Sequence, residues 1–251
     1  RETQTGVADR GPSASVAADD AASPPIAAPT PAAEEPVAAE TVNPAAERVP
    51  VEHDDAPAPA LDAVESRDWD GLKTTVTGCQ SCALHEGRTQ TVFGVGDPQA
   101  RLMIIGEAPG ADEDRQGEQF VGRAGQLLNE MLLAIGFQRE QVYIANIVKC
   151  RPPGNRDPHA DEAAACKGYL LRQIELIDPA LILSVGRVSA HHLLGTEEAV
   201  GRLRGRTHQF QPGDVPLIVT YHPAYLLRRP EEKAKSWQDL QAAYRVLQGD
   251  H

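Results

Sequence analysis

Three common signatures of phosphate and acyl-transfer chemistry are missing from this 251-residue chain: G-x-G-x-x-G, G-x-x-x-x-G-K-[ST] and G-x-S-x-G. Their absence argues against a dinucleotide site, a nucleoside-triphosphate loop and an elbow-type serine hydrolase. No run approaches the twenty apolar residues that a membrane span requires, so no membrane association is expected. No positively charged start is followed by an apolar stretch, so nothing marks the chain for secretion and a cytoplasmic location is expected. Aromatic residues make up 4% of the sequence and none falls within residues 1–66. That segment instead holds ten of the twenty prolines, thirteen acidic residues and three arginines. It cannot bury enough apolar area to offset its backbone entropy, and it is expected to be a disordered Ala/Pro-rich acidic tail. The chain carries −12 overall, whereas residues 67–251 carry 21 basic and 23 acidic side chains, or −2. A nearly neutral domain is not a tight nonspecific DNA binder, so any phosphate contacts must gather on one face.

Cysteine is scarce, and all four residues fall in one pattern: Cys79-x-x-Cys82, then 67 residues, then Cys150 and Cys166 with fifteen between them. Disulfides need an oxidising compartment that nothing here signals. Buried free thiols are the bland alternative, but a C-x-x-C with no cysteine outside the set points to a four-thiolate metal site. Zinc and an iron–sulfur cluster both accept such a set. A zinc ribbon more often shows a second C-x-x-C, so the wide Cys150–Cys166 pair favours a larger cluster clasped from a loop and a helix.

Residues 67–251 suit one domain. Short apolar runs at 102–105, 142–148, 181–185 and 217–220 read as buried parallel strands. Helical patterns lie between them: 123–135 carries Leu127, Leu128, Met131, Leu132 and Ile135 on one stripe and stops at Gly136, while Asp157 and Pro158 start a helix bearing Leu170, Ile174 and Ile177. Segments 187–194 and 231–247 complete the set. The expected fold is α/β, a three-layer α/β/α sandwich around a central four-stranded parallel sheet.

Ligands of such sheets sit beyond the carboxyl ends of the strands. Three segments fall there: Gly106-Glu107-Ala108-Pro109-Gly110, Asn146 with the basic Lys149–Arg156 loop, and Tyr221-His222-Pro223-Ala224-Tyr225-Leu226-Leu227-Arg228. Each alone reads as an ordinary turn or a structural residue. Together they mark one rim, and the Glu107 carboxylate there would repel a pyrophosphate.

With Phe120-Val121-Gly122-Arg123-Ala124-Gly125 added, these motifs resemble the family 4 uracil-DNA glycosylases, which carry a four-iron–four-sulfur cluster. The likeness runs from about Thr77 to Leu247. It implies that Cys79, Cys82, Cys150 and Cys166 ligate a 4Fe-4S cluster. It further implies that the protein acts on uracil-containing DNA as a monofunctional repair glycosylase, releasing uracil, leaving an abasic site and using no nucleotide cofactor. A monomer is expected.

Uracil presents an N3–H donor beside an O4 acceptor, and Asn146 is the amide that would match both. A mispaired edge would leave buried polar groups unsatisfied at about 1–3 kcal/mol each. The base must be flipped out to reach it. By resemblance Phe120 stacks on the flipped base, Gly106 and Ala108 belong to the pocket, and Glu113 stands near the C5 position to exclude thymine. Glu107 and His222 are the implied catalytic pair, with Asn155 helping to place water. For DNA contacts the expectation is Lys149, Arg151, Arg156 and Arg228, with Arg229 beside them, Leu226 or Leu227 as the wedge, and Arg202, Arg204 and Arg206 alternating toward one face. The chain departs from the family where Gln119 stands in place of a common proline before Phe120. It lacks the Lys-Arg-Arg insertion of a branch that links covalently to DNA, so turnover is expected. The rival reading is a noncatalytic nucleic-acid-binding module stabilised by a four-cysteine metal site.

Overall fold

The computed structural model describes residues 64–249. The expected tail therefore lies outside the described residues except for its last three, of which Val64 is buried in a core. Six strands form one sheet: β1 (Val95–Gly96), β2 (Leu102–Gly106), β3 (Tyr143–Asn146), β4 (Leu181–Val185), β5 (Thr207–Phe210) and β6 (Val215–Thr220), in the order β1-β3-β2-β4-β6-β5. The four central strands are parallel and correspond to the four apolar runs. The two edges are antiparallel and are additions to the expected sheet. Both escape a search for apolar runs, β1 because it is two residues long and β5 because only Phe210 of Thr-His-Gln-Phe is apolar and buried.

Period-two alternation sends the side chains of the central strands to opposite faces, and both faces are apolar. Met103, Ile105, Tyr143, Ile182, Leu217 and Val219 enter one core with α1 (Trp69–Thr77), α5 (Ala160–Ile177) and α6 (Arg187–Leu194). Leu102, Ile104, Ile144, Leu181, Leu183 and Ile218 enter the other with α4 (Arg123–Leu133) and α9 (Lys233–Gln248). The result is the expected three-layer sandwich. Shorter helices are α2 (Leu84–Gly87), α3 (Ala111–Gln116), α7 (Val200–Leu203) and α8 (Pro223–Arg228).

Local chemistry sets the element ends. The Glu162 carboxylate accepts from the His159 amide at 2.8 Å, starting α5, and Asp178 at φ 48° ends it. Helix α8 starts at an N-cap of His222 followed by Pro223, whose missing N–H is not needed there. From β2 the chain goes to β3 on one side and then to β4 on the other. This reversal opens a crevice at the carboxyl ends of the central strands, where such sheets bind ligands.

Candidate active site

The crevice is built from strand ends. β2 delivers Gly106 and Glu107, β3 delivers Asn146, and β6 leads into His222. Gly106 has no side chain for a spatial reason: a Cβ there would stand 2.5 Å from Asn146 Oδ1 and 2.9 Å from Phe120 Cζ. The amide and the ring therefore close over the strand end. Phe120 stacks with His222, ring centroids 5.6 Å apart and planes inclined by 30°. Behind His222, Gly186 at φ 100° leaves room where a Cβ would meet the His222 Cβ at 3.0 Å.

Phe120 sits at φ 51°, a left-handed conformation that costs a bulky residue roughly 1–2 kcal/mol. The turn is held by Glu113, whose Oε1 accepts from the Val121 and Gly122 amides at 2.9 and 3.2 Å and whose Oε2 accepts from the Gly110 amide at 3.1 Å. Gly125 allows the close approach of α4, since a Cβ there would lie 1.6 Å from the Phe120 carbonyl oxygen. Glu113 is thus a clamp on the pocket turn rather than a solvated acid.

Asn146 is 2% exposed. Its Nδ2 donates to Gln119 Oε1 at 2.6 Å, while Oδ1 is a buried atom without a partner among the described residues. An orphaned buried acceptor costs about 1–3 kcal/mol and calls for a ligand donor. Lys149 donates from Nζ to the Asn146 carbonyl at 3.0 Å and to Gln173 Oε1 at 2.6 Å.

His222 Nδ1 accepts from the Ala224 amide at 3.1 Å. The proton of the neutral ring is therefore on Nε2. Burial, aided by the Arg228 guanidinium and opposed by Glu113, holds the His222 pKa down at about 4. Glu107 moves the other way. Burial first, then the charge of Asp157 and a hydrogen bond with it, push the Glu107 carboxyl up to about 7, against the pull of Arg187. Arg187 itself pairs with Asp157. Neither Asp157 nor Arg187 stood out as a site residue in the sequence, where Asp157 read only as a helix start.

The expected DNA-contact residues divide. Arg228 is exposed and carries no ion pair among the described residues, and Leu227 is 37% exposed. Leu226 is buried at 1% in the second core, which removes it as a wedge. Lys149 is equally buried, which removes it as a phosphate contact. Arg156 grips Glu162 through two bonds of 2.8 and 2.6 Å. Arg151 Nε donates to Asn155 Oδ1 at 2.7 Å, so the exposed Asn155 amide points to this arginine. Arg229 lies 3.6 Å from Glu231. Arg202, Arg204 and Arg206 do not share a face, because the chain there is helix and turn rather than strand. Arg204 turns inward onto the buried Asp239 and Arg206 reaches Glu198. Ala108 packs partly buried against the first core.

Beside the crevice, all four cysteines line one small chamber. Cys79 and Cys82 come from the α1–α2 connection, Cys150 from the loop after β3, and Cys166 from α5. None is in a disulfide. Three of the sulfurs receive hydrogen bonds of the kind a thiolate accepts: from Arg88 Nη1 to Cys150 at 3.1 Å, from the Lys149 amide to Cys166 at 3.3 Å and from the Ser81 amide to Cys79 at 3.5 Å. Burial pushes the Cys166 thiol up to about 12 and raises Cys82 and Cys150 as well. A bound cation would offset that penalty and hold the sulfurs as thiolates. The residues fit a metal cluster.

The sequence profile of the uracil DNA glycosylase superfamily matches residues 93–241. A type-4 uracil-DNA glycosylase of Archaeoglobus fulgidus is 43% identical over 168 residues, covering 64% of this chain and 84% of that protein. One from Pyrobaculum aerophilum is 42% identical over 179 residues, covering 69% and 91%. One from Thermotoga maritima is 45% identical over 154 residues, covering 61% and 80%. With a profile match spanning most of the sandwich and relatives aligned over most of their own length, this chain belongs to the type-4 branch of the uracil DNA glycosylase superfamily.

Proposed function

We propose that this protein excises uracil from DNA by hydrolysing the N-glycosidic bond, with the crevice of Asn146, Phe120, Glu107 and His222 as its active site. The observation that carries the reading is the buried, unpartnered Oδ1 of Asn146 facing Gly106 beside an aromatic ring. In an extruded uracil the N3–H donates to that oxygen, and the second hydrogen of Nδ2, the first being taken by Gln119, donates to O4. Cytosine presents the reversed pattern and leaves both groups unpaired. Phe120 supplies the stacking surface, worth about 1–3 kcal/mol for a base on an aromatic ring.

As the C1′–N1 bond breaks, positive charge develops on the sugar and negative charge on the uracil. Neutral His222 donates from Nε2 to O2 and stabilises the leaving anion without first losing a proton. Ionised Glu107 stabilises the cationic sugar and takes a proton from the water that adds to C1′. The products are free uracil and a sugar hemiacetal at the abasic site. Leu227, next to the catalytic strand end and exposed, fills the vacated stack.

Cys79, Cys82, Cys150 and Cys166 would hold a 4Fe-4S cluster. A single zinc ion would draw all four thiolates to one point, whereas the irons of a cluster take one thiolate each. The bound group would brace the wall that carries Lys149, and through it the Asn146 carbonyl.

Incubation with uracil-containing oligonucleotides, followed by alkali cleavage and measurement of free base, tests the function. Strand cleavage with stoichiometric uracil release is expected. Inactivity on both single-stranded and U·G substrates, with the protein brown and folded, overturns it.

A further inference from the structure

We propose that Gln119 is a positioning residue that fixes which edge of the Asn146 amide faces the flipped base, and so sets the discrimination between uracil and cytosine. The inference rests on the reading of Asn146 as the base-recognising group.

A side-chain amide is symmetric in shape and opposite in chemistry at its two ends, so a reader such as Asn146 needs something to forbid the flipped rotamer. Gln119 provides it through a chain of three assigned atoms. Its Nε2 donates to the Val92 carbonyl at 3.1 Å, an acceptor that cannot serve any other role. That leaves Oε1 as the end facing Asn146, where it accepts from Nδ2 at 2.6 Å. Nδ2 is thereby held away from the Gly106 side, and Oδ1 is the atom left buried and unpartnered there. A flipped Asn146 would set its oxygen against Gln119 Oε1. Gln119 is 0% exposed, so no water competes for these bonds. The backbone at this point is anchored separately: Arg139 Nη2 donates to the Gln119 carbonyl and, at 3.1 Å, to Glu118 Oε1. The side chain of Gln119 is therefore available for orientation, and its removal leaves the turn tethered.

The test uses the full protein, with Gln119→Leu, Gln119→Met and Asn146→Ala compared with wild type. Single-turnover uracil excision and inhibition by free uracil and by free cytosine are measured, with the melting midpoint as control. Gln119→Leu is expected to slow uracil excision about tenfold, to weaken inhibition by free uracil to a similar degree, and to narrow the preference for uracil over cytosine. The unbranched Gln119→Met fills the same space and should behave alike, so it is read in place of the leucine variant if that one does not fold. In an Asn146→Ala background the change at Gln119 should have no further effect. Unaltered rate and unaltered base preference in either foldable Gln119 variant, with Asn146→Ala impaired, overturns the role of Gln119 alone. If Asn146→Ala is itself as active as wild type, the base-reading assignment falls, and this inference with it.

Discussion

Glu107 and His222 are driven to opposite protonation habits by one physical cause, burial, acting on groups of opposite charge type. A carboxyl near 7 is half ionised at neutral pH, and only its ionised form can stabilise the sugar cation and accept a proton from water. The logarithm of the single-turnover rate should therefore rise with pH, bend near 7 and level off, with no acid limb from His222 until about pH 4. Glu107→Gln should abolish the bend and lower the rate by about 10²–10⁴-fold, the usual worth of a general base. The same shift predicts stability. A folded-state carboxyl raised from its ordinary 4.5 lends stability that is full below 4.5 and is lost as pH rises through about 7. Melting curves of Glu107→Gln should thus lie above wild type at pH 8 and coincide with it at pH 4. A variant less stable than wild type at pH 8 would contradict this account.

The element on which the pocket depends is the turn between α3 and α4. It was legible as a motif in the sequence, but its energetics were not, because a left-handed phenylalanine leaves no trace in composition or periodicity. Gly125→Ala puts a methyl group into the Phe120 carbonyl and should cost about 1–3 kcal/mol of stability, as overpacking does, together with most uracil binding. Glu113→Ala, which releases three backbone amides, should leave the sheet melting as a unit while KM rises and the Phe120 turn exchanges amide hydrogens faster. Protection of Val121 and Gly122 unchanged from wild type would show that the clamp is not what holds the turn. The contrast with the central strands is instructive. Their apolar runs record burial on both faces, so all four strands and the three-layer order are legible in the sequence. The edge strands, half solvated and short, carry no such record. Likewise Lys149 and Arg156 read as a basic loop because charge is visible in a sequence, whereas the partners that absorb it, Gln173 and Glu162, are separated from them by 24 and 6 residues. Leu226 and Leu227 are identical by type, and only their direction from α8 separates a core residue from an exposed one.

At the scale of the whole molecule, the four-thiol chamber ties together pieces that contact the sheet from different directions: the α1–α2 connection, the loop after β3 and helix α5. If the proposed cluster is held there, treatment with chelator and oxidant should remove an absorbance at roughly 400 nm, as expected of a thiolate-bound cluster. It should also open residues 78–88 to proteolysis while far-UV ellipticity persists. The charge pattern is the other global feature. Residues 67–251 carry −2, and many of the arginines near the crevice are neutralised by acids: Arg139 by Glu118, Arg156 by Glu162, Arg187 by Asp157, Arg204 by Asp239. The exposed cations by the crevice without an acidic partner among the described residues, Arg228 among them, should set the salt dependence of DNA binding, each true contact contributing a slope of about 0.7–0.9 in log K against log salt. Arg228→Ala should reduce the slope by about that amount, because Arg228 is exposed beside His222 and has no acidic partner among the described residues. Lys149→Met should leave the slope where it was and instead lower the melting midpoint, because its ammonium is spent on Asn146 and Gln173 inside the protein. A slope that falls by a full contact in Lys149→Met would mean that the buried ammonium reaches DNA after all.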